Sequence, residues 1–133
     1  MQLLVNVDVD DLDRAIDFYT IALGLRLGRR LFEGSVAEML GASSRIYLMA
    51  KPAGTVTSPH AFSVRDYARH WTPVHLDFEV ADVPAAVQRA LAAGATLEGA
   101  IRAFDWGCQG TLSDPFGHGF CFLQFSSRGY DAA

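Results

Sequence analysis

LVNVDVDDL, residues Leu4 to Leu12, returns later in the chain as HLDFEVADV, residues His75 to Val83. The offset is constant, 75 − 4 and 82 − 11 both giving 71. Each stretch alternates polar and apolar residues and closes on an aspartate followed by an aliphatic residue. Alternation with period two marks a half-buried strand, since successive side chains point to opposite faces. Val5, Val7 and Val9 correspond to Leu76, Phe78 and Val80. An internal repeat of this length decides the fold, because each copy must build the same supersecondary unit.

Working outward, each strand runs into a helix. In the first copy Asp10 or Asp11 can cap, and Leu12, Ala15, Ile16, Tyr19 and Leu23 lie at helical spacing. Gly24 ends this helix as a left-handed C-terminal glycine. In the second copy Asp82 caps, and Pro84 suits the first turn, where its missing N–H has no partner to lose. The stripe there is Val83, Val87, Ala90 and Leu91, with Gly94 as the stop. Strand-like segments follow at about Arg26–Phe32, Val36–Leu40 and Arg45–Ala50, and again at about Thr96–Arg102, Cys108–Ser113 and Gly119–Phe125. Asp114-Pro115-Phe116-Gly117 reads as a tight turn that makes the last two strands a hairpin. The modules therefore span about 3–51 and 73–126. A linker at 52–72 separates them, and its His60, Phe62, Tyr67, His70 and Trp71 suit a segment that packs on something.

The 133 residues suit one domain, and 50% apolar with 20% charged residues is a globular composition. A net charge of −4 with scattered Lys and Arg argues against a sequence-independent nucleic-acid binder. No apolar run reaches membrane-spanning length, and the N-terminus lacks a basic region ahead of its apolar residues. Cytoplasmic location is the expectation, with Cys108 and Cys121 as free thiols outside any known thiol motif. A small domain of this size gains by pairing, so a homodimer is expected.

Two βαβββ modules, Phe18-Tyr19 in the first helix, Leu23-Gly24-Leu25 after it and DPFGH at Asp114–His118 together resemble the vicinal oxygen chelate superfamily. That group includes glyoxalase I, bleomycin-resistance proteins, fosfomycin-resistance enzymes and extradiol dioxygenases. The resemblance covers about residues 3 to 126. It implies an α+β fold in which two modules form an open, incomplete barrel with helices outside. The Val5/Val7/Val9 and Leu76/Phe78/Val80 faces would pack on the helices. The opposite faces, with Leu4, Asn6, Asp8 and with His75, Asp77, Glu79, would line a concave pocket.

The resemblance also implies a divalent metal held by His, Gln or Glu from the first and last strands of each module. Carried onto this chain, the four positions fall on Leu4, near Tyr47, on His75 and on Cys121. Only His75 is a normal ligand there, so no metal and no other cofactor is expected. His75 and Cys121 could recruit Asp77, which lies on the same strand face about 6–7 Å along. His118 would be a ligand only in a slipped register, and as a turn residue it competes with simple backbone bonding.

The expected pocket residues are Leu4, Asn6, Tyr47, Met49, His75, Asp77, Trp106, Cys121 and Leu123. A mostly apolar cavity with a few placed polar groups is the usual form of a small-molecule site. Trp106 could stack on a flat ligand or pack into the module edge. His75 is the one catalytic candidate, as a general base beside Asp77. Three functions follow from the resemblance. The first is a metal-free binding protein like the bleomycin-resistance proteins. The second is a metal-dependent lyase or dioxygenase with an atypical ligand set, although iron of the extradiol type needs two His and one carboxylate. The third is a metal-free acid–base enzyme using His75.

Overall fold

The computed structural model describes residues 1–133. The chain forms two compact units, residues 1–68 and 69–133. Unit 1 runs β1 (Leu4–Val9), α1 (Leu12–Leu23), β2 (Arg26–Leu31), β3 (Val36–Leu40) and β4 (Arg45–Ala50). Its four-stranded sheet has the order β1-β4-β3-β2, with β1 and β4 parallel and the other pairs antiparallel. Unit 2 runs β5 (Leu76–Glu79), α2 (Val83–Ala92), β6 (Thr96–Leu97), β7 (Arg102–Phe104), β8 (Gly107–Ser113) and β9 (Gly119–Phe125). Its path is β5-β9-β8-β6, with β5 and β9 parallel and β7 also on β8. Neither sheet closes into a barrel, and the architecture is the α+β duplication read from the sequence. No helix is long and apolar enough to cross a membrane.

The caps fall where the aspartates lie. Asp11 accepts from the Arg14 amide at 3.0 Å, and Asp82 accepts from the Ala85 amide at 2.9 Å. Gly24 ends α1 at φ +67, a conformation that disfavours side chains with a Cβ. The buried stripes differ in part from the expected ones. In α1, Phe18 and Ala22 join Leu12, Ala15 and Tyr19, while Ile16 and Leu23 are half-buried. In α2, Ala86 replaces Leu91, which is 36% exposed. Positions 83, 86, 87 and 90 keep to the 3.6-residue period, and 91 falls off that face.

The expected single strand Thr96–Arg102 is two strands. Gly99 sits at φ +80, and the chain leaves the ladder there before rejoining β8 as β7. The two faces differ in exposure as expected, except that Asp8 is half-buried. Val9 is fully buried, Val5 and Val7 are half-buried, and Leu4 and Asn6 are exposed. In β5 and its flanks, Leu76, Phe78 and Val80 are half-buried, while His75, Asp77 and Glu79 are exposed. α1 packs on β2, β3 and β4, and α2 packs on β6, β8 and β9. Phe116 and Phe122, both fully buried, fill the second core. Burial of each contributes on the order of 2–3 kcal/mol.

The linker is divided between the units. Val56 and Val64 pair as an isolated bridge, Arg65 meets Asp8 at 2.7 Å, and the Tyr67 hydroxyl donates to Lys51 O at 2.5 Å. His60 and Phe62 are exposed. Arg69, His70 and Trp71 belong to unit 2.

Candidate functional site

Parallel pairing of β5 with β9 puts Asp77 beside Cys121 and Glu79 beside Leu123. Antiparallel pairing of β9 with β8 then sets Thr111 beside Cys121 and Gln109 beside Leu123. Paired residues share a face. One face of unit 2 therefore carries His75, Asp77 and Glu79, then Cys121 and Leu123, then Thr111 and Gln109. The His75 Nε2 lies 3.2 Å from Asp77 Oδ1, with about a third of each side chain exposed. One donor atom each from His75, Asp77 and Cys121 falls within 4.8 Å of the others.

Cys121 is buried at the centre of this row. Gln109 Nε2 donates to its Sγ at 3.3 Å, and Thr111 Oγ1 lies 3.6 Å away. Burial, with the Asp77 carboxylate alongside, holds the thiol above its usual range, against the hydrogen bonds of Thr111 and Gln109. The residue thus stays a thiol at neutral pH, which does not suit a nucleophile.

Residues Arg69 to Trp71 cross this face as a strap. The His70 amide donates to Gly117 O at 2.9 Å, and Arg69 forms an ion pair with Glu98. The Trp71 ring lies 4.6 Å from the His75 ring at 38°, and the Arg69 guanidinium lies 5.5 Å from the indole centroid. Gly119 makes room for this, since a Cβ there would stand 2.1 Å from Trp71 Cε3. Trp71 is 47% exposed, so the indole remains available from outside.

In unit 1 the matching face holds Leu4, Asn6 and Asp8 on β1 beside Arg45, Tyr47 and Met49 on β4. Tyr47 pairs with Glu38, and Glu38 with Arg29. The Tyr47 hydroxyl donates to Glu38 Oε2 at 2.9 Å, and Arg29 Nε donates to Oε1 at 3.1 Å. Arg29, then Tyr47, hold the buried Glu38 carboxyl below the usual carboxylate range. A separate polar cavity of about 380 Å³, lined by residues 1–4 and 43–45, includes Leu4 but none of the other expected residues.

The sequence expectation thus divides. His75, Asp77, Cys121 and Leu123 are brought together on unit 2, and Leu4, Asn6, Tyr47 and Met49 on unit 1. Trp106 lies elsewhere in unit 2. It stacks on Phe104 at 4.7 Å and 9°, with Phe125 and Tyr130 at its sides, which is edge packing. The stacking indole on the His75 face is Trp71, which sequence reasoning left in the linker. Gln109, Thr111 and Gly119 were also missed. Counting the register outward from the Asp114–Gly117 turn would have found them.

The folded-state carboxyls of Glu38 and Glu98 both lie below their ordinary value of 4.5, each because of its arginine first. A depressed carboxyl adds stability that is complete above the unfolded value and is lost as pH falls through the folded one. Urea midpoints are therefore expected to drop on acidification from neutral to about pH 3, with Glu38→Gln flattening that drop. An unchanged pH profile in Glu38→Gln would remove this carboxyl from the acid response.

Residues 4–123 match the family described as Glyoxalase-like domain. An uncharacterized protein of Mycobacterium bovis is 36% identical over 114 residues, 83% of this chain and 74% of its own. Among solved structures, TnmS3, an antibiotic binding protein from Streptomyces, superposes with TM-score 0.65 at 24% identity, covering 95% of this chain and 96% of that one. The fosfomycin resistance protein FosX of Listeria monocytogenes superposes with TM-score 0.71 at 17% identity, over 96% and 93%. At these identities the two structures share the fold.

Proposed function

From the premise that this chain belongs to the glyoxalase-like domain family, we propose that it is a small-molecule-binding protein that takes a flat, cationic or hydrogen-bond-donating ligand without a metal. The observation that carries this reading is the strap. Gly119 leaves room for an exposed indole beside His75 and Asp77, with Gln109 and Thr111 behind them. An aromatic plate next to a carboxylate is the chemistry that receives an aromatic cation. The antibiotic-binding TnmS3 has the same fold, which is consistent with this reading. The reading carries with it the cytoplasmic homodimer expected from the sequence.

The metal set implied by the family does not fit the residues present. Leu4 has no donor atom, and the Tyr47 hydroxyl is engaged with Glu38. Cys121 is a buried thiol kept protonated by its surroundings. A second reading, a divalent-metal enzyme with an atypical set, draws on the proximity of His75, Asp77 and Cys121. It would need all its protein ligands from unit 2.

The test uses proflavine, a flat aromatic cation, titrated into metal-free protein and followed by calorimetry. Saturable binding at one site per chain is expected, weakened about tenfold by Asp77→Asn and by Trp71→Ala. No saturable binding, or turnover that requires a divalent metal and vanishes in His75→Ala, would overturn the reading in favour of the metalloenzyme.

A further inference from the structure

Beyond the face just described, unit 2 brings two other imidazoles tip to tip. His70 Nε2 lies 3.1 Å from His118 Nδ1, with ring centroids 4.9 Å apart and planes at 88°. Both residues are half-buried, so water and small ions reach them. Their backbones are fixed from both sides. The His118 amide donates to Asp114 Oδ1 at 2.9 Å, the His70 amide to Gly117 O at 2.9 Å, and the two residues form a parallel bridge. Glu98, which follows β6, is held by Arg69 of the strap.

We propose that His70 and His118 form a clasp for a borderline divalent transition-metal ion, copper(II), nickel(II) or zinc, which fastens the strap Arg69–Trp71 to the hairpin turn. In the metal-free pair one imidazole donates and the other accepts. On binding, the donating ring moves its proton to its far nitrogen, and both facing nitrogens offer lone pairs. An ion about 2.05 Å from each nitrogen would see them at about 98°, between the octahedral and tetrahedral angles. Water completes the coordination. Two imidazoles select these ions over magnesium and calcium, which prefer oxygen. The site is separate from the His75, Asp77 and Cys121 cluster and does not depend on the ligand reading above.

The experiment titrates copper(II), nickel(II), zinc and magnesium into the metal-free full chain at neutral pH. One transition-metal ion per chain is expected at this site, tightest for copper, with no magnesium uptake. His70→Gln and His118→Gln should each weaken binding at least tenfold, while the double variant His75→Ala/Cys121→Ser keeps it. Binding unchanged in His118→Gln, or lost in the double variant, would overturn the clasp. A measurement that needs no substitution is broadening of histidine ring resonances by sub-stoichiometric nickel. Selective broadening of the two rings assigned to His70 and His118 supports the site. Broadening centred on His75 or His60 refutes it.

Discussion

Gly107→Ala is expected to cost about 4 kcal/mol or more of unfolding free energy, enough to unfold much of unit 2. Gly107 opens β8 at φ +150 and is paired on both sides, with Phe104 on β7 and Phe125 on β9. A Cβ there would stand 1.9 Å from Gln124 O and 2.9 Å from Gln124 C. Both are backbone atoms of the central β9 strand, so no rotamer change relieves the clash. Gly34→Ala is the control. Gly34 is at φ +90 with nothing within 4 Å of a built Cβ, so that variant meets backbone strain alone, about 1–2 kcal/mol. Urea denaturation of the two variants separates the effects. Equal losses would mean that β9 does not approach β8 at Gly107 as described.

Gly119→Ala should act on the site far more than on stability. Here φ is not positive, and the obstacle is the strap. The new methyl would meet Trp71 Cε3 at 2.1 Å, Cζ3 at 2.4 Å and Arg69 Nη2 at 2.9 Å. These are side-chain atoms of a surface segment, so the strap lifts and the sheet survives. A loss of about 1–2 kcal/mol is expected for the overpacking. Proflavine affinity should fall tenfold or more, because the indole leaves His75. In a Trp106→Phe background, the emission of Trp71 should shift to the red as the ring enters water. Unaltered emission with unaltered affinity would show that the indole does not rest on Gly119.

Much of this was legible in the sequence because it is local. Period-two alternation in Leu4–Val9 and His75–Val80, the aspartate caps and the DPFG turn each act within a few residues. The division into two like modules followed from them, and so did the faces that carry Asn6, Tyr47, His75 and Cys121. What escaped depends on contacts between distant residues. Trp71 carries no local mark of the sheet face that it covers, since the reason for its position is the missing side chain of Gly119. The partnership of Arg29, Glu38 and Tyr47 comes from the registers of two strand pairs. Those registers decide that the Tyr47 hydroxyl is already engaged. The split of the expected strand Thr96–Arg102 turns on Gly99, whose φ of +80 the alternation pattern does not reveal.

The two modules share a topology and differ in how their polar rows are used. In unit 1 the acids of the row are answered by neighbours, Glu38 by Arg29 and Tyr47 and Asp8 by Arg65. In unit 2 Thr111 stands where Glu38 stands in unit 1, and Asp77 and Glu79 are exposed, with the indole of Trp71 at the His75 end of the row. After a duplication, one copy can thus act as scaffold while the other drifts toward new ligands. A library built to change what the protein recognises would vary Trp71, Asp77, Gln109 and Thr111 and hold Arg29, Glu38 and Tyr47 fixed. Substitutions in the first group would redirect recognition, and those in the second would chiefly lower the yield of folded protein.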